Sequence, residues 1–293
     1  MKKNKCLKYI ILLILIIIFL LKNNIVYLIN RYVFYKNIKL KYKKGKKNIL
    51  LISNSRENFL GLGFLSKKES YFNHCFNVVE KFLNNFKPSE VLLIHYAGSG
   101  VKTHKAKQNY NIIYNSVFKK LNINLKTIAN LSSDEIKNEI INAKCIFISG
   151  GNTFKLLKKL KNNNLCEILK EKINNGTPYI GVSSGCVILN DDLKSSNSLP
   201  IVKPVFQGLG VLPFIINVHY KNENKKPLRL IQYLIKNKDK KIVCIPEGSI
   251  IHIVDNDYEL AGFGYSKIIY YKNENTLVVE NIENGNTIKE ICK

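Results

Sequence analysis

Pro178-Tyr179-Ile180-Gly181-Val182-Ser183-Ser184-Gly185-Cys186 is a short apolar run that ends in a serine with a glycine two residues to either side. Tyr179–Val182 predicts a buried strand, and the residues that follow predict the start of a helix. Gly181-x-Ser183-x-Gly185 therefore has the strand–turn–helix setting of a nucleophile elbow. Such a turn is so tight that its flanking positions must be glycine or small, and it pushes the serine hydroxyl out at the carboxyl edge of the sheet. The amide of Ser184 and the helix start beneath it would face a developing oxyanion. Taken alone, the pentapeptide fits an ordinary Gly/Ser turn between strand and helix equally well.

Working outward, Ile146-Phe147-Ile148-Ser149-Gly150-Gly151-Asn152-Thr153-Phe154 repeats the plan of strand, glycine turn and helix start. Asn152 or Thr153 can cap the helix. Two glycines let the backbone approach a ligand closely. In a parallel sheet both turns open at the same edge, so Gly150 or Gly151 is a candidate oxyanion donor beside Ser184. Further strands are predicted over Ile49–Ser53, Val91–His95, Leu125–Ala129 and Cys145–Ser149. Between and after them helices are predicted over 69–85, 105–121, 133–142, 153–174 and 225–237. This alternation implies a mostly parallel sheet with helices on both faces, a three-layer α/β domain over 49–280. Beyond residue 240, closely spaced runs (Ile242–Ile245, Ser249–Val254, Glu259–Gly262, Lys267–Tyr271, Thr276–Glu280) predict antiparallel hairpins, and 281–293 reads as a polar tail.

A serine nucleophile needs a base, and the chain has five histidines. His74 falls in a helical pattern, His95 ends a strand, His104 lies in a polar loop and His252 in the hairpin region. His219 follows the apolar run Phe214–Val218, which would deliver it stiffly at a strand end. Triads occur in several chain orders, so order alone does not choose among them. Glu247, in Ile245-Pro246-Glu247-Gly248, also ends an apolar strand and is a candidate to orient the imidazole.

The composition narrows the function. Residues 1–48 carry 13 of the 46 Lys and Arg and none of the 21 Asp and Glu, so about half of the +25 charge sits in one tail. The other bases are scattered among Asn and Ile, without the clustered Arg, Lys and aromatics of a nucleic-acid surface, so no nucleic-acid partner is expected. Seven widely spaced cysteines without C-x-x-C give neither a zinc pattern nor a disulfide framework. At the N-terminus a basic start precedes 13 apolar residues, Tyr9–Leu21, and a second apolar stretch, Ile25–Ile29. This predicts a signal anchor or signal peptide over 1–30, hence a membrane-anchored or secretory location and the membrane as a partner, with 31–48 a basic linker.

Leu50-Leu51-Ile52-Ser53-Asn54-Ser55, the Gly-Gly-Asn-Thr-Phe turn, the serine elbow, Leu199-Pro200-Ile201-Val202, Asn217-Val218-His219-Tyr220 and Pro246-Glu247-Gly248 together resemble the peptidase E family of α-aspartyl dipeptidases. The resemblance runs over roughly 49–265. It implies a glutamine-amidotransferase-like (flavodoxin-like) fold and a serine exopeptidase acting without metal or other cofactor on small acidic peptides, with Ser183 as nucleophile and His219 as base. One position departs from the family pattern: the aspartate expected before the Leu-Pro-Ile-Val run is Ser198, which cannot compensate an imidazolium. Cyanophycinase-like relatives of the same fold use a glutamate downstream of the histidine, where Glu247 falls, so the expected triad is Ser183–His219–Glu247, with Asp191 and Asp192 as substitutes. Lys194 stands where the family carries an arginine for the substrate carboxylate and lacks its bidentate fork. Lys194, Arg229 and Asn152 are the candidate substrate-binding residues. Other expectations are a β-aspartyl or isopeptide hydrolase, or an inactive membrane-tethered relative. Cys186 is expected to be a packing thiol.

Overall fold

Successive side chains of a strand point to opposite faces, so a strand covered on both sides must be apolar almost throughout. Asn48–Ile52 (β1), Ile146–Ile148 (β4) and Tyr179–Val182 (β5) are buried at every position. The computed structural model describes residues 40, 42–43, 45–55, 71–72, 74–98, 114–221, 226–262, 266–283 and 288, all within one compact unit, Lys39–Lys293. The other strands are Glu90–Ile94 (β2), Asn124–Thr127 (β3), Ile215–Asn217 (β6), Lys241–Cys244 (β7), Ser249–Val254 (β8), Asp257–Gly262 (β9), Ser266–Asn273 (β10) and Thr276–Ile282 (β11). The helices are Phe76–Phe86 (α1), the helical run 114–120 (α2), Ser133–Asn142 (α3), Thr153–Asn162 (α4), Cys166–Asn174 (α5), Ser184–Val187 (α6) and Lys226–Lys236 (α7).

The main sheet has the order β3-β2-β4-β5-β1-β8-β9. Its first five strands are parallel, and β8 and β9 join antiparallel. β1 lies between β5 and β8, with Ile52 opposite both Val182 and Ile250. The carboxyl end of β1 therefore lies between the serine elbow after β5 and the turn that enters β8. A continuous apolar cluster reaches from Ile49 and Leu51 through Ile146, Ile148 and Tyr179 to the helix residues Leu156, Leu160 and Leu169. The fold is the mixed α/β arrangement with a mostly parallel central sheet.

Several elements differ from the sequence reading. The helix predicted over 153–174 is two, because Asn164 takes a left-handed φ of 54°; asparagine is among the few residues that do so at low cost. Of the predicted helix 69–85, α1 forms from Phe76, while 71–72 are a bridge and a turn; of 105–121, residues 114–120 are helical, and the remainder before 114 lies outside the described residues. The C-terminal strands are not one set of hairpins. β8–β9 extends the main sheet, while β10–β11 joins a second sheet, β11-β10-β7-β6, in which β6 and β7 are parallel. That second sheet brings the strand before His219 alongside the strand before Glu247.

The expected membrane location is corrected. No helix among the described residues is long and apolar enough to cross a membrane. α1 and α7 have 11 residues each, ~16 Å at the helical rise, about half the ~30 Å hydrocarbon thickness. The stretch 1–30 itself lies outside the described residues.

Candidate active site

The elbow begins where β5 ends. Ser183 sits at φ 52° and ψ −107°, a left-handed conformation costly for a residue with a Cβ. Such strain, ~1–3 kcal/mol, persists only where the surroundings enforce it. Here Ser183 N–H donates to Ile52 O at 3.0 Å, and the Ser183 carbonyl accepts from Cys186 and Val187. The glycines answer a steric demand. A Cβ on Gly185 would lie 2.3 Å from Ile148 O, and one on Gly181 would lie 2.8 Å from Gly185 O. Gly185→Ala should therefore lower stability by about 1–3 kcal/mol, read as an earlier urea midpoint at unchanged slope. An unchanged midpoint would show that the turn has room to spare.

His219 arrives from the second sheet. Asn190, fully buried just after α6, pairs with β6 like a strand: Ile216 N–H donates to its Oδ1 (2.8 Å) and its Nδ2 donates to Ile216 O (3.1 Å). The chain then turns at His219 itself, φ 54°, whose N–H donates to Ser53 Oγ at 3.0 Å. Ser183 Oγ lies 2.8 Å from His219 Nε2, and His219 Nδ1 lies 3.3 Å from Glu247 Oε1. With the proton on Nδ1, the serine hydroxyl donates to Nε2 and the ring donates to the carboxylate. The hydrogen bond from His219 holds the Glu247 carboxyl below its ordinary range; partial burial opposes this, and the charges of His219, Lys221 and His74 reinforce it.

The cleft above the serine has a volume of about 350 Å³. Its walls include Asn54, Tyr71, Tyr114, Gly150, Gly151 and Glu247. Gly150 approaches so closely that a Cβ there would lie 3.1 Å from Ser183 Cβ. Gly151, at φ 142°, has no space at all: its Cβ would lie 2.2 Å from Ala97 O. Among the described residues, the amides of Gly150, Gly151 and Ser184 donate to no protein group. α6 is a single turn, so these individual amides, rather than a summed helix dipole, are what the elbow offers to an oxyanion.

The other sequence candidates are engaged elsewhere. Ser198 Oγ pairs with Thr153 Oγ1 at 2.9 Å, at the start of α4, and not with His219. Asp191 binds Lys240 (2.6 Å), and Asp192 accepts from the Lys194 amide (2.8 Å) and the Tyr233 hydroxyl (3.3 Å). Lys194 is 61% exposed, 3.6 Å from Asp192, and does not line the cleft. Asn152 caps α4 through Lys155 N–H and donates to Leu199 O. Arg229 donates to Ser195 O, Ser196 O and Asn197 Oδ1, while Asn197 donates to Asn217 Oδ1 and Val218 O. The guanidinium thus braces the exit of β6 from behind. None of these three substrate-binding candidates lines the cleft at the serine, a long-range outcome that local spacing does not encode.

His252 is buried edge-on to Phe82, His95 Nδ1 lies 3.4 Å from Thr127 Oγ1, His74 is buried, and His104 lies outside the described residues. Cys186 is fully buried with Sγ donating to Ile52 O and Gly181 O, and burial pushes its thiol far up, so it stays protonated packing. The residues sequence reasoning missed are Ser53 and Asn54. Ser53 holds the His219 amide, and Asn54 Oδ1 accepts Gly248 N–H at 2.7 Å. The signals for them are their place directly after β1 and their membership of the Leu50–Ser55 run that carries the family resemblance.

The profile described as peptidase family S51 matches residues 59–261. Peptidase E of Nostoc sp. is 32% identical over 235 residues, 72% of this chain and 96% of its own. Peptidase E of Haemophilus influenzae is 31% identical over 215 residues, 71% and 92% of the two chains. A solved peptidase from an acI-B1 actinobacterium superposes with a TM-score of 0.59 over 85% of this chain and 99% of its own, at 15% identity, a likeness of fold.

Proposed function

Since the chain belongs to peptidase family S51, we propose that it is a serine-type dipeptidase, cleaving small peptides after an N-terminal aspartate through an acyl-enzyme on Ser183. Peptidase activity itself follows from the family. The observation that supports a serine mechanism is the 2.8 Å approach of Ser183 Oγ to His219 Nε2 on a strained elbow.

In this mechanism His219 takes the hydroxyl proton as Ser183 attacks the peptide carbonyl, and returns it to the leaving amine. Glu247 holds the ring and stabilises the imidazolium that forms. The amides of Ser184 and of Gly150 or Gly151 receive the oxyanion. Water then repeats the sequence on the ester and releases aspartate. A cleft of about 350 Å³ lies at the small end of ligand sites and suits a dipeptide better than a folded chain. The acidic preference rests on the resemblance to α-aspartyl dipeptidases, since Lys194 and Arg229 are spent on Asp192 and on the 195–197 loop.

The test is kcat/KM for Asp-Leu, β-aspartyl-Leu and Leu-Leu. Asp-Leu should exceed Leu-Leu by about 100-fold or more, as expected where a site recognises a polar group that the analogue lacks. Equal rates would remove the acidic specificity. Preference for the β-linked peptide would move the assignment to an isopeptidase on the same serine.

A further inference from the structure

Three consecutive residues at the end of β1 each hold one of the three loops that meet at the serine. Ile52 O accepts the Ser183 amide at 3.0 Å. Ser53 Oγ accepts the His219 amide at 3.0 Å and donates to Ile245 O at 3.4 Å, two residues before Glu247. Asn54 Oδ1 accepts the Gly248 amide at 2.7 Å, one residue after Glu247. Ser53 N–H further donates to Ser249 O. Ser53 is fully buried and Asn54 is 8% exposed, so water does not compete freely for these bonds.

This arrangement solves a problem of assembly. The nucleophile belongs to the main sheet, while the strands before His219 and Glu247 belong to the second sheet. Among the described residues, β1 is the strand hydrogen-bonded to both β5, which carries the elbow, and β8, which begins just past Glu247. The Nδ1–Oε1 separation of 3.3 Å is already long, and a hydrogen bond weakens steeply with further displacement. Glu247 is also half-exposed, so burial alone does not fix its carboxylate. Its position depends on the backbone of the Pro246–Gly248 turn, which Ser249 N–H closes onto Pro246 O at 3.2 Å and to which Asn54 adds a side-chain bond.

We infer that Asn54 is a positioning residue of the reaction, acting through Glu247, and that Ile52-Ser53-Asn54 is the clamp that sets the triad's geometry. Asn54 makes no claim on the substrate in this role. The inference rests on the serine mechanism proposed above.

The test is a double-mutant cycle on the full chain, read as the second-order rate at which Ser183 is modified by a fluorophosphonate, a readout independent of the natural substrate. Asn54→Ala should slow modification about 10–100-fold, the scale on which small misplacements act. Asn54→Asp, which keeps an accepting oxygen, should retain most of the rate. In a Glu247→Ala background Asn54→Ala should change the rate less than about twofold, because coupled residues are not additive. A stability role alone would give the same factor in both backgrounds, and that result, or an unchanged rate in Asn54→Ala, overturns the clamp. If Ser183 of the folded wild-type chain is not modified at all, the serine mechanism fails and the clamp with it.

Discussion

Ser183→Ala is expected to lower Asp-Leu turnover by at least about 10⁴-fold while leaving the fold intact. Loss of the nucleophile in a serine hydrolase costs most of the catalysis, and what remains comes from binding and the oxyanion site. Stability should hold or rise slightly, because the substitution removes only a hydroxyl and leaves the backbone bond from residue 183 to Ile52 O in place. The φ of 52° stays costly for alanine, so the strain is not relieved. Activity and stability are therefore expected to part company at this position. Measuring kcat beside the urea midpoint checks both halves. A variant that keeps even one tenth of wild-type turnover would place the chemistry elsewhere.

Glu247→Gln is expected to have the second-largest effect, a fall in kcat of about 10²–10³-fold. Replacing a buried triad carboxylate by its amide costs about 10⁴. Two features reduce that here: the bond to His219 is long at 3.3 Å, and the carboxylate is half-exposed, so solvent screens the charge it offers to the imidazolium. Stability carries its own signature. The Glu247 carboxyl is held below its ordinary range by the hydrogen bond from His219. Its contribution to stability is thus present above the unfolded-state carboxylate range, about pH 4.3, and is lost as pH falls through the lower folded value. Glu247→Gln should flatten the acid end of the stability profile. An unchanged kcat would remove Glu247 from the mechanism.

The parts of the fold legible in the sequence are those governed by local sterics and burial. β1, β4 and β5 read as strands because both faces are covered and every position is buried. The elbow read as an elbow because Gly181 and Gly185 leave no room for a Cβ. The second sheet was not legible. β6 pairs with β7 across a helix and more than twenty residues, and no period in either run encodes that partner. For the same reason the sequence presented Lys194, Arg229 and Asn152 as cations and a polar group near a motif, whereas their partners are set by loops that meet only in the folded chain. Ser198 shows the converse. Its identity cast doubt on the triad, but its hydroxyl is bonded to Thr153, and the carboxylate near His219 is that of Glu247, just past the neighbouring strand β7 of the same sheet. Ser53 and Asn54 stand in the Leu50–Ser55 run that carries the family resemblance, but nothing local to that run assigns them a role, which depends on the strands that flank β1.

The most direct measurement is mass-spectrometric mapping of the full chain after reaction with a fluorophosphonate. The account predicts one adduct per chain, on Ser183, formed far more slowly in His219→Ala and absent in Ser183→Ala. An unmodified Ser183 in folded protein, or an adduct that forms as fast without His219, would contradict it.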